Sequence, residues 1–252
     1  MPLPAGRAKR LRIFAGPNGS GKSTIHRLLA THYRVGMHVD VDKLLFKLVA
    51  PQGLSLQSFH ASLDSGDFRT FYAQHPLRLL FGSDFPFIVS DEGNLTLTEA
   101  AKNAPTLAYA LSALADYVRT RLIEASEDLS LETVLCHPSK LELIRKAKKN
   151  GYEVYLYYVC VASPIIGKQR IALRVYQGGL DVPEAKIAGR FDRSLALLKE
   201  AVALSDRAYL FDNTYSGASL KLEIHQGSKV TPHETQLPDW LTRSLPALVP
   251  VK

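Results

Sequence analysis

The segment "LRIFAGPNGSGKSTIHRLL", residues 11–29, decides the fold. An apolar run at residues 11–15 leads into three glycines, a proline and an asparagine, and a lysine and two hydroxyl residues then open a predicted helix. Each glycine costs backbone entropy and packs no side chain, so neither a regular helix nor a regular strand explains why three glycines occur here. The segment therefore predicts a loop, between a strand and a helix, whose backbone contacts a ligand.

The loop has the spacing G-x-x-x-x-G-K-[ST] of a phosphate-binding loop, with Lys22 and Ser23 at its end. In this pattern the backbone N–H groups surround a β-phosphate, the lysine reaches the β- and γ-oxygens, and the serine ligates Mg²⁺. An ordinary glycine turn is the alternative, but the strand before and the helix after favour phosphate binding. We predict that ATP or GTP binds here with Mg²⁺, and that Ser23 is the metal ligand. The predicted nucleotide-binding residues are Gly16, Pro17, Asn18, Gly19, Ser20, Gly21, Lys22, Ser23 and Thr24.

Length and composition indicate a globular protein. The 252 residues are 46% hydrophobic and 22% charged, as in chains that bury a substantial core. No run of 18 apolar residues occurs, and the N-terminal region lacks the apolar core of a signal peptide. Cys136 and Cys160 lie in apolar segments typical of buried reduced thiols. We expect a cytoplasmic protein without a membrane segment, with one domain over residues 1–252.

Strands and helices alternate along the chain. Strands are predicted at residues 11–15, 37–41, 130–136, 152–161, 207–212 and 219–225, and helices at 23–33, 107–125, 139–149, 164–177 and 183–204. This alternation predicts an α/β fold with a doubly wound, mostly parallel sheet, as in P-loop kinases. Residues 46–106 are predicted to form an insertion of short helices and loops that forms one wall of a substrate cleft.

Ligands of open α/β sheets bind beyond the carboxyl ends of the strands. Asp40 and Asp42 lie at the tip of the second predicted strand, and the third predicted strand carries Glu132 and Thr133. Carboxylates in such places accept a substrate proton or hold Mg²⁺. The alternatives are a helix N-cap for Asp42 and an ion pair with a nearby basic residue for Glu132.

The segment 164–204 carries a cluster of basic residues. Arg170 and Arg174 share one helical face, residues 178 and 179 are a Gly-Gly pair, and Arg190 belongs to a basic stripe on the next helix with Lys186 and Arg193. This pattern predicts a lid that closes over transferring phosphates, hinged at the glycines, with Arg174 and Arg190 neutralising charge. The alternative is an amphipathic hairpin with a solvated basic side.

The net charge of +7 permits nucleic acid as a substrate. A nucleic-acid kinase needs a basic, aromatic-lined groove, whereas Tyr155, Tyr157 and Tyr158 lie in a strand predicted to be buried. Further on, "AYLFDNT" (208–214) resembles a Walker B strand, but its late position argues against a magnesium role. We expect Asp212 and Asn213 to shape a loop near the nucleotide base.

Five segments together resemble the zeta-toxin family of P-loop kinases, in its chromosomal zeta-like branch. They are "GPNGSGKST", "VDVDKLL", "LETVLCHPSKLELIRKAKKNGYEVYLYYV", "LRVYQGGLDVPEAKIAGRFDRSL" and "RAYLFDNT". The resemblance covers most of the chain except about 46–125. It implies a doubly wound kinase fold, transfer of the γ-phosphate of a nucleoside triphosphate to the 3′-hydroxyl of UDP-N-acetylglucosamine, and an antitoxin protein as a partner.

The resemblance also implies roles for single residues. Lys22 and Ser23, with Thr24, match the phosphate loop, Asp42 matches the catalytic base, Glu132 matches an acid that helps to bind the sugar nucleotide, and Arg174 matches a phosphate-clamping arginine. The chain departs from the family at Val134, where a threonine is expected, and near Leu180, where a second arginine is expected. Arg190 could supply that charge.

The sequence thus predicts a kinase that acts on a hydroxyl of a small molecule, with Asp42, Lys22, Arg174 and Arg190 as catalytic residues. Asp42, Glu132 and Thr133 are predicted to bind the substrate. The alternatives are a kinase for nucleic-acid ends and a nucleotide-binding switch or degenerate toxin without turnover.

Overall fold

The computed structural model describes residues 8–82, 84–177, 181–215 and 217–248. The chain divides into two compact units. Unit 1 comprises Met1–Gly36 and Ser130–Lys252, and unit 2 comprises Met37–Leu129. A single domain over residues 1–252 stays a prediction.

The order of elements follows the predicted alternation. The strands are β1 (Arg10–Ala15), β2 (Met37–Val39), β3 (Phe87–Val89), β4 (Leu95–Leu97), β5 (Leu129–Thr133), β6 (Glu153–Cys160), β7 (Arg207–Asp212), β8 (Ser219–His225) and β9 (Lys229–Pro232). The helices are α1 (Lys22–His32), α2 (Val41–Val49), α3 (Ser65–Gln74), α4 (Arg78–Phe81), α5 (Glu99–Lys102), α6 (Leu107–Glu124), α7 (Ser139–Lys149), α8 (Pro164–Tyr176), α9 (Glu184–Leu204) and α10 (Asp239–Ser244).

The strands of unit 1 form a sheet in the order β5-β1-β6-β7-β8-β9. β6 pairs in parallel with both β1 and β7, while β8 pairs antiparallel with β7 and β9. Successive β6 residues face opposite sides: Tyr157 packs in a cluster with Ile25 of α1, and the Tyr158 hydroxyl lies 2.9 Å from Ser194 Oγ of α9. The predicted α/β class, with a mostly parallel sheet covered by helices on both faces, is therefore confirmed.

Unit 2 is built around α6, whose buried face includes Leu114, Tyr117 and Val118. The region 46–106 contains the short helices α3, α4 and α5, as its sequence suggests, together with the antiparallel β3–β4 hairpin. Phe68 and Phe87 pack with Tyr117 in an aromatic core. Whether this region lines a substrate cleft stays a prediction.

The predicted strand 130–136 extends three residues beyond the end of the observed strand β5. β5 ends at Thr133, whose hydroxyl accepts a hydrogen bond from the Leu135 N–H at 3.2 Å, and Leu135 has a φ of +54°. This turn leaves Cys136 beyond the strand and only partly buried, while Cys160 is fully buried, and both are free thiols. Burial raises the pKa of the Cys160 thiol, which therefore stays protonated.

Among the helices of the described ranges, none combines the length and the apolar character needed to cross a bilayer.

Candidate functional site

The loop between β1 and α1, which the sequence predicts to bind phosphate and which is called the phosphate loop below, has three glycines at positive φ. Gly16, Gly19 and Gly21 have φ values of +136°, +73° and +98°. The Lys22 ammonium group, at the first position of α1, donates hydrogen bonds of 2.9 Å to the carbonyl oxygens of Gly16 and Pro17. The lysine side chain thus folds back over the loop that precedes it, the place from which it can reach a bound phosphate.

Helix α8 packs against this loop at a contact between two glycines. A Cβ atom on Gly19 would lie 2.3 Å from the Gly167 carbonyl oxygen, and one on Gly167 would lie 2.6 Å from the Asn18 carbonyl oxygen. Neither side tolerates a side chain, so the backbones of α8 and the loop meet directly. This fixes the start of α8, the helix that carries Arg174, on the loop. Sequence reasoning missed Gly167, although a glycine inside a helix was an available signal.

The loop after β7 contacts the phosphate loop from another side. The Asn213 side-chain amide donates a 2.8 Å hydrogen bond to the Ser20 carbonyl oxygen. Gly21 is required here, because a Cβ at its positive φ would lie 2.2 Å from Asn213 Nδ2. Ser20 is fully buried under this contact. Asn213 therefore supports the backbone of the phosphate loop, and its proximity to a nucleotide base stays a prediction.

Ser23 and Glu132 form a hydrogen-bonded pair beside the phosphate loop in unit 1. The Ser23 hydroxyl donates a 2.8 Å hydrogen bond to Glu132 Oε2. β5 is the neighbour of β1 in the sheet, so its carboxyl end brings Glu132 beside the first turn of α1. A hydroxyl and a carboxylate are the oxygen ligands that Mg²⁺ prefers, so these residues fit the ion that the loop implies. Thr24 is exposed in the same helical turn. The Thr133 hydroxyl is occupied by the hydrogen bond from the Leu135 N–H in the turn after β5.

Helices α8 and α9 hold the predicted arginines. Ile171 of α8 and Ile187 of α9 pack in one cluster with Val182, which precedes α9, and Lys168 of α8 forms a 2.5 Å ion pair with Glu184 of α9. Arg174 and Arg190 are both partly buried, whereas Arg193 is exposed. Gly178, Gly179 and Leu180 lie outside the described residues, and with them the predicted hinge and the departure at Leu180.

In unit 2, Asp40 and Asp42 at the end of β2 have different structural roles. The Asp40 carboxylate accepts a 3.0 Å hydrogen bond from the Asp42 N–H and caps α2. Asp42 therefore lies in the first turn of α2 and is exposed, so the alternative of an N-cap applies to Asp40 instead. Buried Arg119 of α6 donates a 3.2 Å hydrogen bond to the Val39 carbonyl and pairs with Asp116, which holds the end of β2 in place. The catalytic role of Asp42 stays a prediction.

The tyrosines of β6 are mostly covered, as predicted. Tyr158 is fully buried and Tyr157 nearly so, and burial raises the pKa of Tyr157 to about 12. Tyr155 is only half-buried, beneath the guanidinium groups of Arg10 and Arg12 at 5.4 and 5.6 Å from its ring centre. Tyr157 and Tyr158 are therefore closed to base stacking, and the Tyr155 ring already faces two guanidinium groups.

Comparisons with known proteins gave structural similarity only. No family model and no curated protein matches the chain. Chains of solved structures do match, 21 in number, and one belongs to the PezAT chromosomal toxin–antitoxin system of the human pathogen Streptococcus pneumoniae. That match has 15% sequence identity, covers 83% of this chain and 70% of the other, and has a TM-score of 0.46. Similarity at this level leaves the activity of the chain to be inferred from its own residues.

Proposed function

We propose that the chain is an ATP- or GTP-dependent, Mg²⁺-requiring kinase that transfers a γ-phosphoryl group to a hydroxyl of a small molecule. The Ser23–Glu132 pair is the observation that carries this proposal. It lies in the helical turn that Lys22 begins, next to a loop whose backbone fits phosphate. A structural loop has no need of a lysine, a hydroxyl and a carboxylate so arranged.

Each residue has a distinct task in this reaction. The loop N–H groups and Lys22 bind and orient the phosphates, and Ser23 and Glu132 would hold Mg²⁺, which would supply positive charge beside the phosphates. Asp42 accepts the proton of the attacking hydroxyl. Arg174 and Arg190 stabilise charge that develops on the transferring group.

The contact with Ser23 favours a metal-holding role for Glu132 over the sugar-nucleotide role that the family resemblance implies. UDP-N-acetylglucosamine is nevertheless the first acceptor to test, with its 3′-hydroxyl as the site of transfer, and Val134 is the departure that speaks against it. The resemblance also implies an antitoxin partner. A neighbouring reading frame for a small helical protein would support this.

An acceptor screen tests the proposal. γ-Labelled ATP and GTP are offered with Mg²⁺ and one of three acceptor classes: sugar nucleotides, other small alcohols, or oligonucleotides with free 5′- or 3′-hydroxyl ends. Reactions with a chelator in place of Mg²⁺ are the control. We expect label on a small-molecule hydroxyl. Label on oligonucleotide ends supports the nucleic-acid kinase, and nucleotide binding without transfer to any acceptor supports a non-catalytic switch.

A further inference from the structure

A buried histidine, His26, lies in α1 three residues after Ser23. Residues three apart share one face of a helix, and helical side chains lean toward the N-terminus, so the imidazole reaches back toward the turn of Ser23. Its ring meets the buried Phe14 ring of β1 edge-on, with the ring centres 4.9 Å apart and the two planes at 89°. This contact fixes the orientation of a side chain that is only 7% exposed.

The imidazole lies beside the same carboxylate that the Ser23 hydroxyl contacts. A ring nitrogen of His26 and a carboxylate oxygen of Glu132 are within 4.8 Å of each other. Ser23 Oγ is 2.8 Å from Oε2 of the same glutamate. A hydroxyl, a carboxylate and an imidazole therefore converge beside the last residues of β5, and all three belong to unit 1.

These three groups differ from the ligands that Mg²⁺ prefers. Mg²⁺ takes oxygen ligands, whereas imidazole nitrogen is a ligand for transition ions. Transition ions bind nitrogen and carboxylate oxygen at about 2.0–2.2 Å, so two ligands on opposite sides of one ion are about 4–4.4 Å apart. A separation of at most 4.8 Å between His26 and Glu132 thus needs only a small side-chain adjustment to hold one ion.

We propose that His26 is a third ligand of the metal site of Ser23 and Glu132, and that its imidazole makes this site bind a divalent transition ion in preference to Mg²⁺. This inference rests on the proposed function for the metal-holding role of the other two residues, and it names the class of ion. The phosphate-loop pattern assigns the metal to the hydroxyl after the lysine and gives no role to the residue three positions later. The alternative is that His26 orients Glu132 without touching the ion.

Co²⁺ serves as the probe, because it reports directly on its ligands. Mg²⁺ and Co²⁺ are titrated separately into the full-length protein, with and without ADP, and each Kd is measured by calorimetry. Proton NMR of the Co²⁺-loaded protein shows a ligand imidazole as a strongly shifted N–H signal that disappears in D₂O. We expect one bound Co²⁺, one such signal, and a lower Kd for Co²⁺ than for Mg²⁺.

His26→Gln tests the proposed ligand. Glutamine is polar and offers an amide oxygen, which Mg²⁺ accepts and which a transition ion binds less well than imidazole. The Kd for Co²⁺ should rise at least about tenfold, the Kd for Mg²⁺ should change less than about threefold, and the shifted N–H signal should vanish. His32→Gln, which replaces the exposed last residue of α1, is the matched control and should change none of these.

Glu132→Gln tests the same site without altering the contact between His26 and Phe14. If the imidazole and the carboxylate hold one ion, this variant should also weaken Co²⁺ binding and lose the N–H signal. It therefore decides the matter even where His26→Gln fails to fold, as judged by thermal melting. Retention of the signal in Glu132→Gln would place the imidazole at another site and overturn the inference.

Two further results would overturn the inference. One is a wild-type Co²⁺ complex that shows no shifted N–H signal either with or without ADP. The other is an equal rise of both Kd values in His26→Gln, which would make His26 a residue that only positions Glu132. Imidazole coordination without phosphoryl transfer to any acceptor would refute the proposed kinase and support the metal assignment. Phosphoryl transfer by a protein that lacks the signal would do the reverse.

Discussion

The Ser23 hydroxyl donates a 2.8 Å hydrogen bond to Glu132 Oε2 across the neighbouring carboxyl ends of β1 and β5. One residue comes from the phosphate-loop motif and the other from a strand more than 100 positions later in the chain. Their contact joins the phosphate-loop motif to Glu132. Two roles are open for Glu132: it could hold the metal ion, or it could bind a sugar nucleotide.

Glu132→Gln should lower turnover by at least about 10- to 100-fold, since loss of a residue that holds the metal costs no less than loss of one that only orients a ligand. The Mg²⁺ concentration needed for half-maximal rate should rise, and KM for the acceptor should stay near its wild-type value. Steady-state rates over a Mg²⁺ series measure both. Glu142→Gln, a surface acid paired with Arg145 on α7, is the control. A variant that changes only the acceptor KM would support sugar-nucleotide binding instead.

Gly167→Ala should destabilise unit 1 by about 1–3 kcal/mol, because the added methyl group overlaps the Asn18 carbonyl oxygen. An alanine at an unconstrained helical position would instead stabilise by about 0.5–1 kcal/mol. Gly189→Ala on α9, where the new methyl group meets only the flexible end of Arg193, provides that comparison. Urea unfolding of both variants measures the difference. Equal stability of the two would show that α8 does not pack closely on the loop.

Asp42→Asn should reduce phosphoryl transfer on the order of a hundredfold, the scale of a general base, while nucleotide Kd stays unchanged. Asp40→Ala should instead cost about 0.5–2 kcal/mol of stability, because Asp40 caps α2, and Asp40→Asn should retain the cap. Transfer assays and thermal melting separate the two effects. Normal transfer by Asp42→Asn together with loss in Asp40→Asn would mean that Asp40 is the base.

Arg174→Ala and Arg190→Ala should each lower the rate at saturating nucleotide by about 10³-fold, as for other arginines that neutralise a transferring phosphoryl group. Lysine should rescue neither, since a point charge cannot replace a planar fork. Arg193→Ala is the control, because Arg193 is exposed, and it should change the rate less than about threefold. A large defect at Arg193 with none at Arg190 would place the other face of α9 toward the phosphates.

Local patterns predicted the central elements well, since glycine spacing determines the phosphate loop and periodicity determines long helices such as α9. The three-residue strands β3 and β4 contain too few residues for alternation to be read, so the hairpin was missed. The apolar residues 134 and 135 extended the predicted third strand beyond the turn at Leu135.

Contacts made by tertiary packing could not be predicted from local sequence patterns. The approach of Gly167 to Gly19 and the hydrogen bond from Trp240 to Asp212 join segments far apart in the chain. Their residue types serve many purposes, so no spacing rule identifies them. The same holds for the capping of α2, where sequence alone did not distinguish Asp40 from Asp42.

The most direct test of the kinase assignment is a comparison of wild type with Lys22→Ala in Mg²⁺-dependent turnover of ATP and GTP. Lys22 contacts the loop carbonyls and would reach the transferring phosphate, so we predict that the variant keeps a melting temperature close to that of wild type and loses turnover. Unchanged turnover in a folded Lys22→Ala protein would contradict the account.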